Sequence, residues 1–127
     1  MKLVECKEEY WEFVRLLRTS DENQTGFFTK AQITPENQIE FMRKWGDNYK
    51  ICLIDEIPVG YVGIINGNEV TYCTDPNYKN KGIGTFMVKE FLKFFPDLIA
   101  TVKPENLASQ RVFEKLGWGK KIVYESR

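Results

Sequence analysis

Tyr78-Lys79-Asn80-Lys81-Gly82-Ile83-Gly84-Thr85 is the stretch on which the fold turns. It joins a strand-like run, Glu69 to Asp75, to a helix-like run, Thr85 to Phe95. A glycine-broken loop that opens a helix aims several backbone N–H groups at one place. The positive end of the helix dipole, roughly half an elementary charge, faces the same place. Donors and dipole together make an anion site, and phosphate is the usual occupant. The chain is therefore expected to hold a phosphorylated cofactor.

Upstream of the loop, Asn66-Gly67 is a strong hairpin signal, because both residues tolerate positive φ. It joins a strand from Pro58 to Ile65 to the returning strand from Glu69 to Asp75. Tyr49 to Ile54 is a further strand, turned by Asp55-Glu56, and Met1 to Cys6 is a short first one. Glu8 to Arg18 reads as a helix with Tyr10, Phe13, Val14 and Leu17 on one face. Thr34-Pro35 starts another, with Ile39, Met42 and Trp45 on one face and Gly46 as the stop. The polar stretch between these helices carries Gly26, Phe27 and Phe28.

Downstream, Val88, Phe91, Leu92 and Phe95 face the core, and Pro96-Asp97 ends their helix. Leu98 to Val102 is a short strand, Asn106 to Leu116 a helix closed by Gly117, and Trp118 to Glu125 a last strand. Antiparallel strands followed by strand, helix, strand imply an α/β chain with a mixed sheet and a parallel pair. Helices would cover both faces of that sheet. Neither a repeat nor a linker interrupts residues 1–127, so a single domain is expected.

The composition narrows the function. Lys plus Arg equals Asp plus Glu at 18 each, which gives no support to nucleic acid or an anionic membrane as partner. There is no histidine, hence neither the commonest general base nor the commonest zinc ligand, and no metal is expected. Cys6, Cys52 and Cys73 are scattered, which fits a reducing compartment, and Cys52 and Cys73 read as buried. Glu5, Lys7, Glu8 and Glu9 interrupt any apolar leader, and no apolar run nears the ~20 residues of a membrane span. A cytoplasmic protein is expected.

The loop lacks the G-x-x-x-x-G-K-[ST] of a triphosphate site, and Met87 replaces the third glycine of G-x-G-x-x-G. Lys79-Asn80-Lys81-Gly82-Ile83-Gly84 instead resembles the [Q/R]-x-x-G-x-[G/A] loop of the GCN5-related N-acetyltransferases (GNAT). Glu69 to Pro76 looks like the fourth strand of that family. Asn106, Ser109, Phe113, Gly117 and Trp118 are similar to its N-x-x-[AS]-x-x-x-[YF]-x-x-x-G-[FW] block. The resemblance covers Tyr49 to Trp118, and the N-terminal third matches only in element order. It implies a three-layer acyl-CoA N-acyltransferase fold, a twisted mixed sheet flanked by about four helices.

The resemblance also implies acetyl-CoA as cofactor and acetyl transfer to a primary amine. Backbone N–H groups of Asn80, Lys81, Gly82, Ile83, Gly84 and Thr85 would hold the diphosphate, with Lys79 at the usual Gln/Arg position. Cys73, Thr74 and Asp75 would lie along the pantetheine arm and bond it as an added strand. Asn106 and Ser109 would face that arm, and Phe113 takes the position where the family commonly has an acid tyrosine. A phenyl ring has no proton to give. Another tyrosine (Tyr72, Tyr78 or Tyr124), with Tyr72 named as the catalytic candidate, is one remedy. Water is a second and favoured one, and the third reading is a non-catalytic acyl-CoA-binding module.

Glu69 is the candidate base, ahead of Glu5, Asp75 and Glu105, and Phe27, Phe28 and Trp45 are candidates for an acceptor wall. The acceptor stays open between a small amine, such as an amino sugar or sugar nucleotide, and a protein N-terminus or lysine. The family often has one more strand after the segment beginning at Trp118, so a homodimer or a covered sheet edge is expected.

Overall fold

Short runs rich in β-branched and aromatic residues build an antiparallel sheet whose strands lie in sequence order: β1 (Lys2–Glu5), β2 (Tyr49–Ile54), β3 (Ile57–Ile65) and β4 (Glu69–Thr74). The computed structural model describes residues 1–20, 23, 33–117 and 122–124. The β3–β4 turn forms as its residues dictate, with Asn66 at φ 51° and Gly67 at φ 83°. β5 (Ala100–Val102) and β6 (Ile122–Tyr124) pair in parallel as a second, smaller sheet.

The two sheets join at one place. Val70 N–H donates to the Ile99 carbonyl at 2.9 Å, and Ile99 N–H donates to the Asn68 carbonyl at 2.9 Å. Beyond this single parallel bridge, between Glu69 and Ile99, β4 and β5 part and leave an opening between them.

Four named helices flank the sheets among the described residues: α1 (Trp11–Thr19), α2 (Pro35–Trp45), α3 (Ile83–Leu92) and α4 (Leu107–Lys115). α1 and α2 cover one face, where Val14, Leu17 and Met42 pack on Tyr49, Ile51, Leu53, Tyr61 and Cys73. α3 and α4 cover the other, where Met87, Val88, Phe91 and Phe113 pack on Cys52, Val59, Val62 and Val70. The result is the expected three-layer α/β arrangement. Phe91 is fully buried, and truncating such a ring costs about 3–5 kcal/mol.

Local chemistry moves several boundaries. Gly82 takes φ 75° and caps α3, so the helix begins at Ile83, two residues before the expected start. It stops at Leu92 instead of Phe95, since the residue before Pro96 is biased away from helical ψ. The first helix is preceded by a tight turn, Glu8–Tyr10. In α2 the expected stripe of Ile39, Met42 and Trp45 is corrected: Ile39 and Trp45 are exposed, and Gln38 is buried with Met42. Gln38 can be buried because its Nε2 donates to the Trp11 carbonyl at 3.0 Å. Gly26, Phe27, Phe28 and Trp118 lie outside the described residues.

Candidate active site

α3 opens without a side-chain cap. Its first intrahelical bond runs from Phe86 N–H to the Gly82 carbonyl at 3.0 Å, so the amides of Ile83, Gly84 and Thr85 precede the ladder. Asn80 and Gly82 both take left-handed backbone, at φ 64° and 75°, in the turn that leads into α3. A Cβ built at Gly82 meets nothing within 4 Å, so the glycine answers to its φ and keeps the approach open.

A cleft of about 610 Å³ lies against this turn and runs between β4 and α4. Lys79, Asn80, Gly82, Ile83, Gly84 and Thr85 line its loop end. Tyr72, Cys73 and Thr74 line it from β4, and Asn106 and Ser109 from the start of α4. Among the described residues its lining includes three cations, Lys79, Arg111 and Lys115, and no aspartate or glutamate. Lys81, expected in the loop, is exposed and is not part of the lining.

The strand's alternation decides which main-chain groups face the cleft. Val70 N–H points to β5, whereas Asp75 N–H donates to the Val59 carbonyl on β3 at 2.8 Å. Tyr72 and Thr74 share the parity of Val70, so their N–H and C=O groups turn toward the opening. This corrects the expected main-chain roles of Cys73 and Asp75, whose parity turns them to β3. Cys73 still lines the cleft, though its thiol is buried, within 3.9 Å of the Leu17 carbonyl. Asp75 is used locally, with Oδ1 accepting from Asn77 N–H at 2.9 Å.

Tyr72 reaches across the cleft. Its hydroxyl lies 2.8 Å from Ser109 Oγ, and Ser109 N–H is held by Asn106 Oδ1 at 3.2 Å, so Asn106 caps α4. Burial pushes the Tyr72 hydroxyl above its ordinary range, and the bond to Ser109 opposes the rise. The group stays protonated at neutral pH. Gly84 makes room for this ring: a Cβ there would lie 3.0 Å from Tyr72 Cε2. Phe113 packs edge-on beneath it, at 6.0 Å between centroids, and is only 2% exposed. Phe113 is thus core beneath the cleft and not part of its lining. Of the other tyrosines, Tyr78 lines the cleft and Tyr124 is exposed on β6.

A second cleft of about 370 Å³ opens on the opposite face of the sheet, between α1, α2 and β2 to β4. Thr71 of β4 lines it, and Cys73, on the same strand face, lines the first cleft, so the two approach each other along β4. Glu69 is buried one alternation before Thr71, at the root of the opening, and lines neither cleft. Trp45 is exposed at the end of α2 and lines neither as well.

Arg111, Lys115, Arg18 and Thr71 escaped the sequence reading. A signal for the first pair was present: Ala108, Arg111, Val112 and Lys115 repeat at spacings of three and four, one stripe of a helix, and all line the cleft. Arg18 and Thr71 had no such local signal. No group of three or more metal-ligating side chains occurs among the described residues, and no described helix is long and apolar enough to cross a membrane.

Residues 3–118 match the family model described as an acetyltransferase (GNAT) domain. A Bacillus subtilis (strain 168) protein described as the uncharacterized N-acetyltransferase YnaD is 30% identical, over 78% of this chain and 68% of its own length. Ribosomal-protein-alanine N-acetyltransferase from Brucella melitensis superposes with a TM-score of 0.78 at 16% identity, over 92% of this chain and 83% of that one. Spermidine N-acetyltransferase from Vibrio cholerae, solved in complex with CoA and spermine, gives 0.78 at 16% identity, over 91% and 79%. These two structures share the fold.

Proposed function

Because the chain belongs to the GNAT acetyltransferase family, we propose that it moves the acetyl group of acetyl-CoA onto a primary amine of a small molecule. One observation carries this reading. Among the described residues, the cleft that meets the uncapped amides of α3 is lined by three cations and no carboxylate, and it runs along the β4 residues whose main-chain groups face outward. That lining fits a ligand with a phosphorylated end and an extended, hydrogen-bonding arm. The Vibrio cholerae structure, with its bound CoA, supports the choice of cofactor.

Bound acetyl-CoA would supply the reactive thioester. Ile83, Gly84 and Thr85 would hold its diphosphate by backbone N–H, with Lys79, Arg111 and Lys115 balancing the phosphate charge. Tyr72 and Thr74 would bond the arm through main-chain groups. An ammonium has a pKa near ~10 and must lose a proton before it can attack. Glu69, on the Thr71 face of β4, is our candidate to accept it. The leaving thiolate needs a proton, and the Tyr72 hydroxyl, protonated and held by Ser109, is our candidate to give it.

Release of free thiol from acetyl-CoA across a panel of amines tests the reading, with a lysine-containing peptide as the competing protein acceptor. Coenzyme A should also raise the melting temperature by mass action. No thiol release with any amine, and no stabilisation, would sink it. Stabilisation without release would favour the rival reading, an acyl-CoA-binding module, for which the aromatic but hydroxyl-free Phe113 speaks. Three buried free thiols support a reducing, cytoplasmic setting. Val123 and Tyr124, exposed on β6, support a homodimer through that edge, which sedimentation across concentrations would test.

A further inference from the structure

Asn23 is a buried polar side chain, only 7% exposed, with an amide oxygen still to be satisfied. It borders the larger cleft and is not part of the lining of the smaller one. Its backbone N–H donates to the Ser20 carbonyl at 3.0 Å, just beyond the end of α1. Its Nδ2 donates to the Leu17 carbonyl at 3.2 Å, in the last turn of α1, where carbonyls lack helical partners. A carbonyl only accepts, so this bond orients the amide: nitrogen faces the helix end and Oδ1 is left over. Oδ1 accepts no hydrogen bond from the described residues, and it is not sealed in, since every fully enclosed side-chain oxygen or nitrogen among them has a partner. Cys73 Sγ lies 3.9 Å from the same Leu17 carbonyl, which sets the Asn23 amide beside β4 at Cys73.

Only a donor can satisfy that oxygen, which excludes the phosphates, carbonyls and thioester of acetyl-CoA. Cys73 stands between Thr74, toward the phosphate turn, and Thr71, where the smaller cleft approaches. An arm running from diphosphate to thioester along β4 would pass this point. Its donors are one hydroxyl and two amide N–H groups. The hydroxyl lies close to the diphosphate, so the amides are the donors that reach the middle of the strand. Two methylenes separate those amides, a spacing that does not match the two-residue repeat of outward groups on β4. Tyr72 and Thr74 can meet one amide in register and leave the other to find a partner elsewhere. We propose that Asn23 Oδ1 accepts a hydrogen bond from an amide N–H of the pantetheine arm, so that the cofactor is held from the α1 side as well as by β4. This inference rests on coenzyme A lying in the larger cleft. It makes Asn23 a cofactor-binding residue drawn from the N-terminal third of the chain.

The test sets coenzyme A against adenosine 3′-phosphate 5′-diphosphate, the same ligand cut off before the arm, with both affinities measured by calorimetry. Asn23→Ala should weaken coenzyme A roughly three- to tenfold, the worth of one hydrogen bond, and leave the armless fragment unchanged. Equal weakening of both ligands, or of neither, in a folded Asn23→Ala would overturn the inference and leave the acetyltransferase reading standing. The wild-type protein gives a second readout that no folding defect can spoil. The side-chain carbonyl carbon of Asn23 should shift downfield in the NMR spectrum when coenzyme A binds, and stay in place with the armless fragment. The shift should vanish for one of the two coenzyme A analogues in which an arm amide is replaced by an ester, since an ester keeps the shape and loses the N–H. A carbonyl that does not move with coenzyme A, or that moves with both esters, would overturn the inference alone. Failure of both coenzyme A and the fragment to bind the wild-type protein would overturn the placement of the cofactor and this inference with it.

Discussion

The two clefts lie against one strand and are built by different means. The larger is made from backbone: a left-handed glycine, the uncapped start of α3, and the outward-facing main chain of Tyr72 and Thr74, ringed by Lys79, Arg111 and Lys115. The smaller is made from side chains drawn from α1, α2, β2, β3 and β4, apolar except for Arg18 and a few amides and hydroxyls. Backbone recognition suits a ligand that never changes. Side-chain recognition suits one that differs from enzyme to enzyme on a shared fold.

The sharpest way to break this contrast is at Gly82. Gly82→Val forces a β-branched residue to φ 75° and places a side chain in the approach to the α3 amides. Coenzyme A affinity should fall at least about 100-fold, the value of two or more charge-assisted bonds. Gly67→Val imposes the same strain at φ 83° in the hairpin turn, also with open space around it. Both should lose about 1–3 kcal/mol of stability. Only Gly82→Val should lose the coenzyme A melting shift, and equal losses in both variants would show that backbone strain, not the cleft, is responsible.

The next effect lies where the clefts approach each other. Tyr72→Phe should lower kcat by roughly 10–100-fold with little change in KM for acetyl-CoA, as loss of a positioned acid does when the leaving group is already tolerable. Gly84→Ala should act in the same direction more weakly, because its Cβ would crowd Tyr72 Cε2 from 3.0 Å. Turnover unchanged in Tyr72→Phe would return the proton to water. Phe113→Tyr is instructive in the other direction. Its ring is 2% exposed, so a hydroxyl there should cost about 1–3 kcal/mol of stability and bring no gain in turnover. Smaller still, Arg111→Ala with Lys115→Ala should weaken coenzyme A binding roughly fivefold at low salt and less at high salt, since both side chains are exposed.

The same division explains what could be read from the chain. Lys79 to Thr85 and Asn106 to Phe113 are contiguous, and their local spacing made the glycine turn that opens α3 and the Asn106 cap of α4 legible in the right order. The Asn66-Gly67 turn and the burial of Val88 and Phe91 were legible for the same local reason. Which β4 amides face the opening was not, because parity depends on where Val70 bonds to Ile99, a contact between strands. Nor was the second cleft legible. Arg18, Phe41, Tyr61 and Thr71 stand far apart in sequence and share no period, and only the packing of two helices on a sheet assembles them. Trp45, which looked like a pocket aromatic, is carried outward by the same α2 geometry that turns Gln38 in.

The smallest prediction separates the two faces by alkali. Burial pushes the thiols of Cys6 and Cys73 and the hydroxyl of Tyr49 up to about 12, and all three belong to the core under α1 and α2. On the α3 face Cys52 rises to about 11. The sign follows from the raised values. Near neutral pH both folded and unfolded chains are protonated and the full stability is present. As pH climbs past the ordinary thiol value of 9.0, the unfolded chain gives up protons that the folded chain still holds, so stability drains until the folded values near 12 are reached. Each group contributes a slope of at most about 1.4 kcal/mol per pH unit in that window. More of the shifted groups lie under α1 and α2, so hydrogen-exchange protection factors there should fall earlier between pH 9 and about 11 than those of α3. Coenzyme A stabilisation, if it depends on the α3 end as proposed, should outlast them. Protection lost in step on both faces would mean that the sheet unfolds as one unit and that the face under α1 and α2 has no separate weakness to alkali.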